Sequence, residues 1–164
     1  MPDFAIWPNP ALTSAATPRP LDIALLDAGE RLLAAATEVN AYGLAAAHLG
    51  LVEPVVVVSV ATDVQQRDYR VMFNPVIGDV STETAIGAEG SVSLPGIEVP
   101  VGRPVWADVS YETGDGQAHS ERLEGFAARV ALHEIEQMQG VFFLQRISRI
   151  KRDTALRKFE KSRR

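Results

Sequence analysis

Cysteine is absent from this 164-residue chain, which excludes disulfide bonds and thiolate metal ligands and fits a reducing, cytoplasmic setting. Long hydrophobic runs are absent too. The longest candidate, residues 55–60, has the length of a strand, far from the roughly 20 residues a membrane-spanning helix needs. The N-terminal segment carries Asp3 and the prolines Pro2, Pro8 and Pro10 in place of the basic start and apolar stretch of a secretion signal. Internal repeats and low-complexity segments do not occur. What is present is ordinary for a globular protein, with 46% hydrophobic and 23% charged residues in a chain long enough for one core. The expectation is a soluble cytoplasmic domain with no membrane association.

The net charge of −5 is unevenly distributed. Residues 145–164 hold nine basic side chains (Arg146, Arg149, Lys151, Arg152, Arg157, Lys158, Lys161, Arg163 and Arg164) against Asp153 and Glu160. An acidic body with a basic end suggests contact with an anionic partner, such as RNA or a lipid surface. The competing reading is a solvated terminal helix. Residues 1–148 are expected to form the domain proper, with 149–164 as its basic C-terminal helix.

Along the chain, residues 1–20 read as an extended arm punctuated by Pro8, Pro10, Pro18 and Pro20. Leu25, Leu26, Leu32, Leu33 and Ala36 predict a helix over 21–39, ending near Asn40. The β-branched run 55–60 predicts a strand, and 70–73 and 76–82 predict two more around Asn74-Pro75. Residues 105–113 and 117–123 flank Gly114-Asp115-Gly116, a hairpin signal. Residues 126–138 have helical period, and a second helical stretch starts at Arg149. Strands followed by a packed helix define an α+β class.

His133-Glu134-Ile135-Glu136-Gln137 carries the clearest chemistry. In an H-E-x-x-H helix, two histidines four residues apart sit roughly 40° apart around the axis and share one ion, while the glutamate is the base for a metal-bound water. Here Gln137 stands where the second histidine belongs. A neutral amide oxygen is a weak ligand for Zn²⁺ or Fe²⁺.

Three segments resemble, in order and spacing, the signature motifs of polypeptide deformylases, G-x-G-L-A-A-x-Q, E-G-C-L-S and H-E-x-D-H. They are Gly43-Leu44-Ala45-Ala46-Ala47-His48, Glu89-Gly90-Ser91-Val92-Ser93 and His133 to Gln137. Asn74-Pro75, Pro95-Gly96, Ala128-Arg129-Val130 and Gly140-Val141 extend the resemblance over nearly the whole chain. It implies antiparallel β-sheets around a central helix carrying the HEIEQ motif. It also implies a Zn²⁺ or Fe²⁺ ion held by the second-motif cysteine and both histidines, and activity on N-formylmethionyl peptides. On that basis His133 is the retained ligand and Glu134 the retained base. Ser91 stands at the cysteine, Gln137 at the second histidine and His48 at the oxyanion glutamine. Val92 supplies the oxyanion amide. Gly43, Leu44 and Gly90 are expected at the substrate, with Arg103 near the place of a substrate-gripping arginine.

The leading expectation is a family member without standard metal-dependent deformylation, with no tightly bound ion and a pocket for a peptide N-terminus or small acyl ligand. The alternatives are a hydrolase with a recruited Fe²⁺ or Zn²⁺, metal-free hydrolysis by Ser91 beside His133, and a ribosome-associated module.

Overall fold

The computed structural model describes residues 1–164. Its centre is a five-stranded antiparallel sheet in the order β1-β2-β3-β6-β7, formed by β1 (Gly43–Ala45), β2 (Val55–Ser59), β3 (Tyr69–Val80), β6 (Trp106–Glu112) and β7 (Ala118–Glu124). A separate two-stranded antiparallel sheet pairs β4 (Thr84–Gly90) with β5 (Glu98–Pro104). Helix α1 (Ile23–Val39) precedes the strands, α2 (Gly125–Met138) follows β7, and α3 (Arg149–Ser162) closes the chain.

The two faces of β2 explain its uninterrupted Val run. Val55 and Val57 pack with Leu25, Leu32 and Ala36 of α1, whereas Val56 and Val58 pack with Ala128, Ala131 and Ile135 of α2. A strand covered on both faces has no polar side, and each fully buried valine contributes about 1.5–3 kcal/mol. Helix α1 starts at Asp22, whose side chain accepts from the Leu25 amide at 2.8 Å, and stops at Asn40 in the left-handed region (φ 52°).

Two strands expected on either side of Asn74-Pro75 are one strand, β3, with a register shift between Phe73 and Val76. Asn74 adopts φ 49° there, and its amide nitrogen donates to the Glu112 carboxylate at 2.7 Å and the Arg19 carbonyl at 2.8 Å. These bonds hold the distortion that proline imposes, so the strand bends without ending. The hairpin β4–β5 was not anticipated from the sequence at all. Pro100 and Gly102 interrupt the β-branched pattern of β5, yet Val99, Val101 and Arg103 alternate inward.

The basic end is docked. Ser148 caps α3 by accepting from the Lys151 amide at 3.3 Å, and Ala155 and Phe159 bury against Leu12, Leu94, Val101 and Phe142. Trp7 stacks on Phe142 in the same cluster at 4.6 Å between centroids. Residues 149–164 are therefore not a fully solvated helix, because Ala155 and Phe159 belong to a core cluster. Phe159→Ala is expected to cost about 3–5 kcal/mol, as for other buried aromatics. Urea denaturation measures it, and an unchanged midpoint would show that α3 does not support the core.

Candidate functional site

The site lies where the edge of the large sheet meets the small one. Strand β1 is an edge of the five-stranded sheet, and β4 has a partner on one side only. Between them opens a cavity of about 410 Å³, floored by α2. Gly43, Leu44 and His48 line it from the β1 side, Glu89, Gly90, Ser91 and Val92 from the β4 side, and Phe126, Arg129, Val130, His133 and Glu134 from α2. Gly43 lets β1 come this close. A Cβ there would lie 2.7 Å from Val130 Cγ1 and 2.9 Å from the Val57 carbonyl.

Helix α2 supplies its residues at helical spacing. Phe126, Val130, His133 and Glu134 share one stripe, so the HEIEQ register fixes which groups face the cavity. Phe126 meets Tyr42 edge-on across the rim at 4.7 Å. Arg129 and these two aromatics were not anticipated as site residues. For Arg129 and Phe126, position on the His133 face of α2 was the available signal.

Glu89 organises the charged groups. It accepts from Arg103 Nε and Nη2 at 2.9 Å each, from Arg129 Nη1 at 2.7 Å, and pairs with His133 Nδ1 at 2.7 Å. Burial alone would raise its pKa, but hydrogen bonds from Arg103 and His133 and their charges overcome this and hold it down to about 2. Arg103 also pairs with Glu136, which in turn pairs with Arg146. Arg129 reaches further, donating to the Val101 carbonyl and the Ala85 carbonyl at 2.8 Å each.

Arg103, expected near a substrate-gripping position, lies outside the cavity wall. Its side chain is buried between two carboxylates. Gln137 also departs from expectation. Its amide nitrogen donates to the Leu12 carbonyl at 2.7 Å, it faces the N-terminal arm, and it is absent from the cavity wall. Ser91 does line the cavity, but the imidazole nearest its hydroxyl belongs to His48, at 3.4 Å, and the expected Ser91–His133 pair is replaced. His133 is engaged through Nδ1 with Glu89 instead.

The tautomer of His48 follows from its neighbours. The Ala45 amide donates to Nδ1 at 3.0 Å, so the proton of the neutral ring sits on Nε2 and points at Ser91 Oγ. Burial, followed by the electrostatic influence of His133, lowers the His48 pKa to about 3. Its 3.7 Å approach to Glu134 Oε1 is accordingly not an ion pair. Ser91 Oγ accepts from His48 and from the Ser93 amide at 3.1 Å, which leaves its own hydrogen free to donate into the cavity. A serine contacted by a donating imidazole has no general base there.

Glu134 is 5% exposed, and its Oε1 has no hydrogen-bond partner. Burial first, with Glu89 adding to it, raises its pKa to about 7 against the opposing influence of His133 and Arg103.

These donors do not fit the family's ion. Ser91 is a neutral hydroxyl already accepting two hydrogen bonds, Gln137 is held to Leu12, and only His133 retains an imidazole. No cluster of three or more His, Asp or Glu side chains is placed to hold a metal ion.

A mixed sheet-and-helix fold with a three-motif cleft of this order defines a deformylase-type domain. The profile of the family described as polypeptide deformylase matches residues 1–153, and the chain belongs to that family. It is 36% identical over 156 residues to a peptide deformylase-like protein of Rhizobium meliloti (94% of this chain, 89% of that protein). To a peptide deformylase of the same organism it is 30% identical over 158 residues (96% and 91%). Among solved structures, the peptide deformylase of Ehrlichia chaffeensis superposes with a TM-score of 0.89 at 25% identity, covering 98% of this chain and 95% of the other. That of Thermotoga maritima gives 0.81 at 31% identity, covering 90% and 98%.

The two cavity carboxyls make opposite contributions to stability. Glu89 falls from 4.5 to about 2 on folding, so its contribution is complete above pH 4.5 and is lost as pH falls through about 2. Glu134 rises from 4.5 to about 7, so its contribution is complete below pH 4.5 and is lost as pH rises through about 7. His48 contributes in the reverse sense between 6.5 and about 3, equally in wild type and in a Glu134 variant. Glu134→Gln is therefore expected to gain stability relative to wild type as pH rises from 4.5 to about 7. Denaturation curves across that range measure the difference; a constant offset would show that Glu134 titrates normally.

Proposed function

We propose that this deformylase-family protein binds a peptide N-terminus or a small acyl ligand in the cavity between β1 and β4, without the family's standard metal-dependent hydrolysis. The observation that carries this reading is the state of two ligand positions. Ser91 offers a neutral hydroxyl, and Gln137 is turned to the Leu12 carbonyl. Structural zinc sites are worth roughly 10 kcal/mol or more, and that affinity depends on three or four good donors. The retained pocket supports ligand binding because both flanking strands present backbone edges, the setting in which extended peptides add to a sheet. The Val92 N–H is the backbone donor at the place of the family's oxyanion amide.

Deformylation with a recruited Fe²⁺ or Zn²⁺ and Glu134 as base is the alternative, and it requires donors beyond His133. Hydrolysis by Ser91 requires an imidazole acceptor, whereas His48 offers an N–H.

Protein purified without added metal is expected to hold far less than one equivalent of Zn, Fe or Ni and to leave formyl-Met peptides intact. Stoichiometric metal lost in His133→Ala, together with hydrolysis, would overturn the reading. The double variant Ser91→Cys with Gln137→His is expected to recover metal binding more readily than activity, since His48 still stands at the oxyanion glutamine. Elemental analysis of the folded variant checks this; a metal-free result would mean these positions are not equivalent to the family ligands.

The outer face of α3 favours a second property, contact with ribosomal or other RNA. Arg157, Lys158 and Lys161 are exposed at i, i+1 and i+4, opposite the buried Ala155 and Phe159. Reversing these three charges spares the core and is expected to reduce ribosome co-sedimentation at low salt. Equal sedimentation would leave α3 with its packing role alone.

A further inference from the structure

One charged side chain on the cavity wall is both exposed and without a counter-charge. Glu89 and Arg129 are paired with each other, and Glu134 is buried. Glu98 also lines the cavity, is exposed, and enters no salt bridge or side-chain hydrogen bond.

A glycine sets its route to the wall. Glu98 is the one residue of β5 that lines the cavity, which opens between β4 and β1. In the β4–β5 register it stands opposite Gly90, and directly opposed residues of an antiparallel pair share a face. A Cβ on Gly90 would lie 3.6 Å from Glu98 Cγ, so the Glu98 stem runs beside bare backbone. No side chain at position 90 stands between it and the cavity. Its exposure also fixes its depth: His133 and Glu134 are 8% and 5% exposed and mark the closed end, whereas Glu98 is at the mouth.

We infer that Glu98 determines side-chain specificity: the bound peptide carries a Lys or Arg just after its first residue, and that cation meets Glu98 at the cavity mouth. This rests on the peptide-binding reading of the cavity and adds the chemistry of the side chain it selects. A single carboxylate supplies too few donors for a divalent metal ion, whereas one is enough for an ammonium or guanidinium group. Ala88 and Val92 on the same wall offer apolar surface for the methylene stem of such a residue. An acidic side chain at that place would meet an unmatched like charge.

The test uses peptides Met-Xaa-Ala and Met-Ala-Xaa with a C-terminal fluorophore, where Xaa is Lys, Gln or Glu. One set has a free amino terminus and the other an acetylated one, so the ratio is read within a set whichever terminus binds. They are titrated into the full chain by fluorescence anisotropy at neutral pH and low salt. At one of the two positions Lys is expected to bind roughly two- to fivefold tighter than Gln, the worth of an exposed ion pair, and Glu more weakly than Gln. The preference should shrink as salt is added. Glu98→Gln should bring the Lys-to-Gln ratio close to one, and Glu98→Lys should reverse the order. Glu30→Gln, which removes an exposed carboxylate from α1, should keep the preference. Binding without a Lys preference, or a preference lost equally in Glu30→Gln or kept in Glu98→Gln, overturns the inference and leaves the peptide pocket standing. Failure of every peptide to bind overturns both.

Discussion

Four N–H groups converge on the Glu89 carboxylate, two from Arg103 and one each from Arg129 and His133. An ionised carboxylate has about four lone-pair sites, so this buried charge is fully coordinated by the protein. Removing an ion from water costs several kcal/mol, which a pair offsets only when its remaining hydrogen-bonding capacity is also filled. That condition is met here, and it ties β4, β5 and α2 to one point. The cavity wall, the His133 ring and the α2 register are all set by it.

In a metal site, a carboxylate behind a histidine ligand orients the ring and raises its basicity. Glu89 stands in that relation to His133, while the other donors around the imidazole have changed. Ser91 and Gln137 are engaged with Ser93 and Leu12, and Arg103 links Glu89 to Glu136. Glu89 therefore orients the His133 ring through contacts within the protein. One consequence is the separation of two carboxyls on one cavity: Glu89 at about 2, surrounded by donors, and Glu134 at about 7, buried with none. Glu134, His133, Ser91 and Val92 line the cavity between them.

Much of this was legible in the chain. The Val run of β2, the leucine spacing of α1 and the Gly114-Asp115-Gly116 turn each carry a local signal that packing preserved. The three motifs placed Gly43, Leu44, His48, Gly90, Ser91, Val92, His133 and Glu134 on one cavity, since backbone scaffolds persist when ligands change. Three features were not legible, for a common reason. Arg103, Gln137 and Arg129 are decided by long-range partners, Glu89 and Glu136, the Leu12 carbonyl, and the Ala85 and Val101 carbonyls. Spacing along one element says nothing about groups on another. The β4–β5 hairpin was missed because Pro100 and Gly102 hide its alternation, and the Asn74 bulge because a proline reads locally as an end.

The central claim is that ion pairs around Glu89, and not a bound metal, hold this site together. Thermal unfolding tests it most directly, with the same preparation measured untreated, after exhaustive chelation, and after addition of Fe²⁺ or Zn²⁺ to the chelated sample. The account predicts a single Tm in all three. A fall in Tm on chelation that metal restores would contradict it, because an ion that stabilises the native state must be bound there.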